Sequence, residues 1–566
     1  MATVGHYQDG LEGLRSRIRA TVETAFYGNN VMPVASVRDA YLLAKNSPGT
    51  VELTGMPMCE TESFGLPQGA NVLLFNDGAV VGRCAAARKI IGEPDVDVDE
   101  YAFKLREAIY GTRYRKLYHV EAVVGLDPDF MVKAHLLIPE GHENILYNWL
   151  LNFQHLNSKY SQMYRDSKAY PESDIFIFSD PDWRHPDHPL GLSLFDPSHN
   201  CAAILGMRYF GEFKKGTLTL AWGIATRNGF ISCHGGLKRL RLPNGKDFVM
   251  AVFGLSGSGK STITHAKHGG KYEVTILHDD AFIIRCDKKY SIALEPTYFD
   301  KTQDYTINSE ASKYILTLQN NGATRGSDGK LYAVMEDVRN GNGRAIRSRL
   351  WSPNRVDRMD DPIKAIFWLM RDPTLPPVIK VTDPALGSTL GATLATKRTT
   401  AERLLSEIDP KALVFEPYAN PFRVYPLSVD YLGFKELLSD GIDCFILNTG
   451  DFMGKKIGPD LTLKIIEDIA EDEAEFVSWK PFKDLQIIPI DGFSPDFDDK
   501  SYKKHFVERM EDRIKFVREK ETEKGGFDKL PSEAMEKLQE IIVELKQPPK
   551  ALKKERQGEQ GLPGIL

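Results

Sequence analysis

One octapeptide constrains this chain more than any other feature. An apolar run at residues 248–253 is followed directly by Gly254, Leu255, Ser256, Gly257, Ser258, Gly259, Lys260 and Ser261. The pattern G-x-x-x-x-G-K-[ST] is complete. Its glycines let the backbone turn N–H groups inward around phosphate oxygens, and the helix expected to follow aims its positive end at the same anion. Lys260 adds a point charge at the β- and γ-phosphates, and the Ser261 hydroxyl suits a Mg²⁺ ion. A buried strand, a glycine loop and a helix in succession point to an α/β sheet with an internal nucleotide site.

A metal at the phosphates calls for carboxylates. The apolar stretch 274–277 runs into His278, Asp279 and Asp280, and carboxylates at the end of a buried strand suit Mg²⁺ or Mn²⁺. Further apolar runs at 365–370, 412–415 and 444–447 continue the alternation of strands with helical stretches. Upstream, residues 239–242 and 247–253 flank Asn244-Gly245, a hairpin signal. Residues 99–110 and 143–153 read as helices; 120–124, 132–138, 176–178, 217–222 and 229–233 read as strands. Lys214 and Lys215 then fall on a surface turn, and His234 ends the last of these strands. The segment 179–191 gathers Asp182, His185, Asp187 and His188, but its prolines mark it as a structured loop rather than a metal centre. Arg344, Arg347 and Arg349 fit a strand facing a small anion.

The chain has 566 residues, room for three or four average domains or for two large lobes. The change of texture near residue 245 favours lobes at 1–245 and 246–500. A charged helical extension and tail follow at 501–566. In that extension, Met535, Leu538, Ile541, Ile542 and Leu545 form one apolar stripe, with Ser532 as the expected N-cap. Lys and Arg number 72 against 78 Asp and Glu, a net charge of −6, which argues against a dedicated nucleic-acid binder while leaving room for a local basic pocket. Six dispersed cysteines with no C-x-x-C pair fit reduced thiols. The N-terminus has no apolar leader and no run reaches the ~18 residues of a membrane span, so a cytoplasmic enzyme is expected.

In order along the chain, these motifs resemble the ATP-dependent phosphoenolpyruvate carboxykinase family. The glycine loop is similar to that family's phosphate loop. Gly211-Glu212-Phe213-Lys214-Lys215-Gly216 is similar to its Gly-Glu-Met-Lys-Lys-Gly, and the Lys215-to-His234 interval matches the spacing of its metal-binding lysine and histidine. Asp279-Asp280 resembles its paired aspartates, at a longer distance from the loop. Glu295 and Lys301 match the Glu and Lys of its EGGCYAKT. Asn342-Gly343-Arg344 resembles its Asn-Thr-Arg, and residues 375–378 its Leu-Pro-Pro-Val. Residues 391–402 resemble its mobile lid. Asn448-Thr449-Gly450 and Gly454-Lys455-Lys456-Ile457 resemble its Asn-Thr-Gly and Gly-Lys-Arg-Ile. There are also departures. Gly82-Arg83-Cys84-Ala85-Ala86-Ala87-Arg88-Lys89 stands where the family has Gly-Arg-Ser-Pro-Lys-Asp-Lys. Leu463 stands at an adenine-side arginine, and Met370-Arg371-Asp372 where the family has Thr-Ala-Asp.

The resemblance implies a two-lobed carboxykinase-like α/β fold, with the P-loop in the C-terminal lobe and an α/β N-terminal lobe. It implies conversion of oxaloacetate and ATP to phosphoenolpyruvate, CO₂ and ADP through an enolate, a gluconeogenesis-type reaction. Mn²⁺ would be held by Lys215, His234 and Asp280, and Mg²⁺ by the phosphates and Ser261. Arg83, Tyr209, Lys214 and Arg344 would bind the organic anion. The P-loop with Thr262, Glu295, Lys301, Arg344, Lys455 and Lys456 would bind the nucleotide. Arg83, Lys214, Lys215, Lys260, Asp279, Asp280 and Arg344 would be catalytic. Partners would be small molecules alone, without nucleic acid or membrane, and the assembly a monomer or small homo-oligomer. An ammonium has no lone pair for a metal, so Lys215 must have a lowered pKa. Two alternatives stand beside this reading: a kinase on the same scaffold acting on another small molecule or a protein without decarboxylation, and a non-catalytic nucleotide-binding module.

Overall fold

The computed structural model describes residues 16–75, 82–255, 257–287, 289–304, 310–336, 342–397 and 412–546. The glycine loop follows one of three neighbouring strands. Asp247–Phe253, Ala365–Met370 and Asp443–Asn448 run parallel and side by side. They are buried along most of their length, which is why they read as unbroken apolar runs. They lie within an eleven-stranded mixed sheet. Phe230–Arg241 joins that sheet antiparallel to Asp247–Phe253, across the expected Asn244-Gly245 turn, where Gly245 takes φ 81°. The glycine loop therefore leaves the sheet at the carboxyl end of a parallel strand, the usual place for a ligand in an α/β sheet.

An eight-stranded sheet is built from earlier residues, with the hairpin Leu117–Asp127 and Phe130–Pro139 toward one end and Ile175–Asp180 in the middle, beside it. A five-stranded sheet pairs Asn71–Phe75 with Ile315–Gln319, so segments from both sides of residue 245 share one sheet. Twelve α-helices complete a mixed α/β architecture among the described residues. The helices Lys500–Lys520 and Ser532–Lys546 pack onto the body. Ala534, Leu538, Ile541 and Leu545 are buried, and Arg513 is fully buried against Asp372, Nη1 to Oδ2 3.1 Å. Ser532 is the first residue of its helix rather than a residue ahead of it. None of the helices described is long and apolar enough to cross a membrane. All six cysteines are free thiols.

One expected strand is a helix. Residues 217–222 lie inside Phe210–Arg227, and Lys214 and Lys215 are on this helix, not on a surface turn. The run Thr-Leu-Thr-Leu alternates like a strand. This helix is packed on nearly every side, however, so it has no polar face to give a 3.6-residue period, and tertiary burial overrides the β-branched propensity. The segment 179–191 is a structured loop, with Asp182 held by Arg115, His142 and Arg208.

Candidate active site

A cavity of about 370 Å³ lies over the glycine loop. Gly257 and Gly259, at φ 84° and 93°, shape its floor in a conformation that residues with a Cβ avoid. A Cβ on Gly254 would stand 2.3 Å from Ser258 Oγ and 2.9 Å from Leu369 Cβ, so only glycine fits there. Leu255, Lys260, Ser261 and Thr262 line the floor, while Ser258 is buried beneath it, its hydroxyl without a hydrogen-bond partner among the described residues. Ser256 lies outside the described residues. The helix that follows is short, Lys260–His265.

The wall is a cluster centred on Asp280. Its Oδ2 lies 2.7 Å from Lys215 Nζ and 3.0 Å from Lys214 Nζ; its Oδ1 lies 3.0 Å from His234 Nε2 and 3.2 Å from Lys260 Nζ. Burial alone would raise the Asp280 pKa, but Lys215, Lys214 and Lys260 outweigh it and hold the carboxyl well below its usual range. Burial first, then the charges of Lys214 and Lys260, pull Lys215 down to about 8 against Asp280 and Glu295. Lys214 is the opposite case. Burial opposes its charge, but Glu295 and Asp280 hold it above the ordinary lysine range. Two adjacent lysines on one helix thus acquire different protonation behaviour from different neighbours.

The backbone prepares the imidazole and the carboxylate. His234 Nδ1 is hydrogen-bonded to the Ala419 carbonyl, which only accepts, so Nδ1 carries the proton and Nε2 keeps its lone pair toward the cluster. Burial, with Lys260 and Lys215, pushes this histidine down to about 3, so it stays neutral. His278 Nδ1 accepts from the N–H groups of Asp280 at 3.0 Å and Ala281 at 3.1 Å, which fixes the turn that aims Asp280. Asp279 faces the other way, toward His265 Nε2 at 3.3 Å. The donor set of one lysine that burial makes easier to deprotonate, one neutral imidazole and one carboxylate suits a divalent transition metal.

Arg83, Tyr209, Lys301, Arg344 and Arg347 also line the cavity. Lys301 and Arg344 sit opposite one another on paired strands. Arg83 lies over the Phe422 ring at 4.3 Å, and Lys215 over the same ring at 4.9 Å. Cations outnumber carboxylates around the space, as a site for polyanions requires.

Residues 91–489 match the family model of phosphoenolpyruvate carboxykinase. The chain belongs to the phosphoenolpyruvate carboxykinase family. Among its relatives, the phosphoenolpyruvate carboxykinase (ATP) of Aeropyrum pernix is 24% identical over 322 residues, 54% of this chain and 64% of that one. The protein of the same name from Dictyostelium discoideum is 24% identical over 212 residues, 34% of this chain and 36% of that one. One from Arabidopsis thaliana is 23% identical over 227 residues, 36% of this chain and 32% of that one. The matches thus span less than two thirds of these relatives' own length.

Most of the residues expected from the carboxykinase resemblance meet in this cavity, but among the described ones Gly254, Ser258, Glu295, Lys455 and Lys456 do not line it. Glu295 is fully buried one layer behind, with Oε2 2.7 Å from Lys214 Nζ and Oε1 accepting from Asn152. Lys455 and Lys456 stand on an exposed hairpin, Lys455 over the Phe493 ring at 4.2 Å. Of the expected lid, residues 391–392 end a helix and Ala395–Lys397 pair with Leu413–Phe415, while 398–402 lie outside the described residues. Sequence reasoning missed Phe299, Trp351 and Phe422 on the walls and His265 beside Asp279. A lone aromatic carries no catalytic signature in sequence; only its placement against Arg83 and Lys215 gives Phe422 a role.

Proposed function

We propose that this chain is an ATP-dependent phosphoenolpyruvate carboxykinase, converting oxaloacetate and ATP to phosphoenolpyruvate, CO₂ and ADP. One observation carries the reading: Lys215, His234 and Asp280 converge beside the P-loop Lys260 in a cavity that Arg83, Tyr209 and Arg344 also line. A P-loop alone serves any nucleotide; a transition-metal donor set sharing a cavity with arginines suits a dicarboxylate next to a phosphoryl donor.

Each residue then has a chemical task. Arg83 and Arg344, with Tyr209, bind and orient the organic carboxylates. When the C–C bond to the departing CO₂ breaks, its electron pair leaves an enolate. Lys214, held charged, keeps that developing anion close to the phosphoryl group. The enolate oxygen attacks the γ-phosphorus and the bond to ADP breaks. Lys260 and Lys301 offset the charge on the transferring group. Lys215, His234 and Asp280 would hold Mn²⁺, and Ser261 would meet Mg²⁺; such ions supply positive charge to the anionic oxygens. Phe299, Trp351 and Phe422 keep the walls apolar, which strengthens these interactions and disfavours protonation of the enolate by water. The chemistry requires no nucleic acid or membrane.

Incubation with ATP, Mg²⁺ and Mn²⁺, with and without oxaloacetate, tests the reading. Oxaloacetate-dependent formation of both ADP and phosphoenolpyruvate is expected. ATP turnover indifferent to oxaloacetate points instead to a kinase on the same scaffold. The alanines of the segment 85–87, beside Arg83, favour that second reading, because they offer no side-chain donor to an organic acid. Nucleotide binding without turnover refutes both.

A further inference from the structure

The eight-stranded sheet carries, on its Leu117–Asp127 and Phe130–Pro139 hairpin, a second donor cluster that takes no part in the cavity. His119 and Glu121 are two residues apart on Leu117–Asp127, so both side chains leave the same face. His135, on Phe130–Pro139, stands directly opposite Glu121. Among the described residues, His119, Glu121 and His135 bring one ligand atom each to within 4.8 Å of one another. His119 Nε2 lies 3.0 Å from His135 Nδ1, and His135 Nδ1 lies 3.5 Å from Glu121 Oε1. In a tetrahedral site with bonds of ~2.05 Å, neighbouring ligand atoms are ~3.3 Å apart, so both separations are close to those of a loaded site.

The surroundings orient these atoms for a cation. His135 Nε2 lies 3.1 Å from Asp174 Oδ2. A carboxylate at that distance accepts a hydrogen bond from Nε2–H, so Nε2 carries the ring proton and the lone pair of Nδ1 faces His119 and Glu121. This is the carboxylate–histidine pairing that orients metal-bound imidazoles. Phe176 stacks on His135 at 4.3 Å and Phe26 meets His119 edge-on at 5.2 Å, so neither ring turns freely. Lys133 Nζ lies 3.6 Å from Glu121 Oε2, the oxygen that does not face His135. The Glu121 side chain is 42% exposed, which gives an ion a route in from solvent and leaves a fourth position for water.

We propose that His119, Glu121 and His135 form a two-histidine, one-carboxylate site for a borderline divalent cation of the Zn²⁺ class, separate from the catalytic cavity. The donor set selects against Mg²⁺ and Ca²⁺, which prefer all-oxygen shells. An ion here would bridge the two strands of the hairpin.

The test uses the full chain stripped with chelator and titrated with Zn²⁺, and with Co²⁺ as a visible-absorbing probe. Wild type is expected to take up one equivalent more than His119→Gln or Glu121→Gln, while His234→Gln keeps the sheet-site signal. Asp174→Asn is expected to weaken this site ~10–100-fold through the lost orientation of His135. Glu121→Gln leaves the histidine pair intact and lies at the surface, so its fold is expected to survive; unchanged thermal unfolding of the stripped protein checks this. Equal uptake and equal Co²⁺ spectra in wild type and in both ligand variants overturn the proposal and leave a His–His–Asp hydrogen-bond network.

Discussion

The pair formed by Lys214 and Glu295 gives the sharpest prediction. Both are fully buried, 2.7 Å apart. Glu295 also accepts from Asn152 Nδ2, while Asn152 Oδ1 has no partner. In Glu295→Gln, the amide oxygen still accepts from Lys214. The new NH₂ donates to Asn152 once that amide turns over, so hydrogen bonding and volume are kept and only the charge is lost. Removing one partner of a buried pair costs ~3–5 kcal/mol. The retained hydrogen bond to an ammonium, worth ~1.5–3 kcal/mol, offsets part of this, so a loss of ~2 kcal/mol is expected. Lys214 would then depend on Asp280 Oδ2, the oxygen that already serves Lys215. Competition there is expected to raise the Mn²⁺ concentration for half-maximal activity ~10-fold. Denaturant unfolding of Glu295→Gln, Lys214→Met and the double variant gives the coupling energy. A value near 2 kcal/mol is expected. Costs that add to within ~0.5 kcal/mol would refute a functioning buried pair.

Other consequences follow from the same geometry. Gly254→Ala is expected to weaken nucleotide binding at least ~10-fold by calorimetry, because a clash worth even ~1.4 kcal/mol at the loop is a factor of ten. Arg344→Ala is expected to lower kcat by ~10²–10³ with little change in thermal stability. Arg513→Ala, which leaves Asp372 buried and less compensated, is expected to cost ~3–5 kcal/mol in denaturant unfolding despite lying in the C-terminal helices. Burial pushes the Asp430 carboxyl up to about 7, against Arg423. The folded protein therefore holds this proton more tightly than the unfolded chain. The sign follows: full stability lies below pH ~4 and is lost as pH rises toward 7, by at most ~1.4 kcal/mol per pH unit. Asp430→Asn is expected to remove that slope, measured by unfolding between pH 5 and 7.

Much of the α/β sheet and one side of the site were legible in sequence. The strands 248–253, 365–370 and 444–447 are apolar throughout because parallel strands are covered on both faces, and the Asn244-Gly245 turn is a local signal. The Phe210–Arg227 helix was not legible, because burial on nearly every side removed the polar face that would have marked it. Arg347 reads as part of a basic strand, but its stacking on Trp351 follows only from the turn after that strand.

By itself, then, the amino-acid sequence determined the glycine loop and the identity of the residues that could serve it. A glycine loop, its lysine and its hydroxyl act through contiguous backbone, so eight residues suffice to specify them. Tertiary structure alone decided which candidates share a cavity. It set Glu295 behind Lys214, left Lys455 and Lys456 outside, and brought Phe422 over Arg83 and Lys215. It also decided that Lys215 is pulled down while its neighbour Lys214 is held up. Lys215 and Asp280 are 65 positions apart, and His234 is oriented by a carbonyl 185 positions away. Desolvation and the sum of nearby charges set a protonation state, and neither exists until distant segments have packed together.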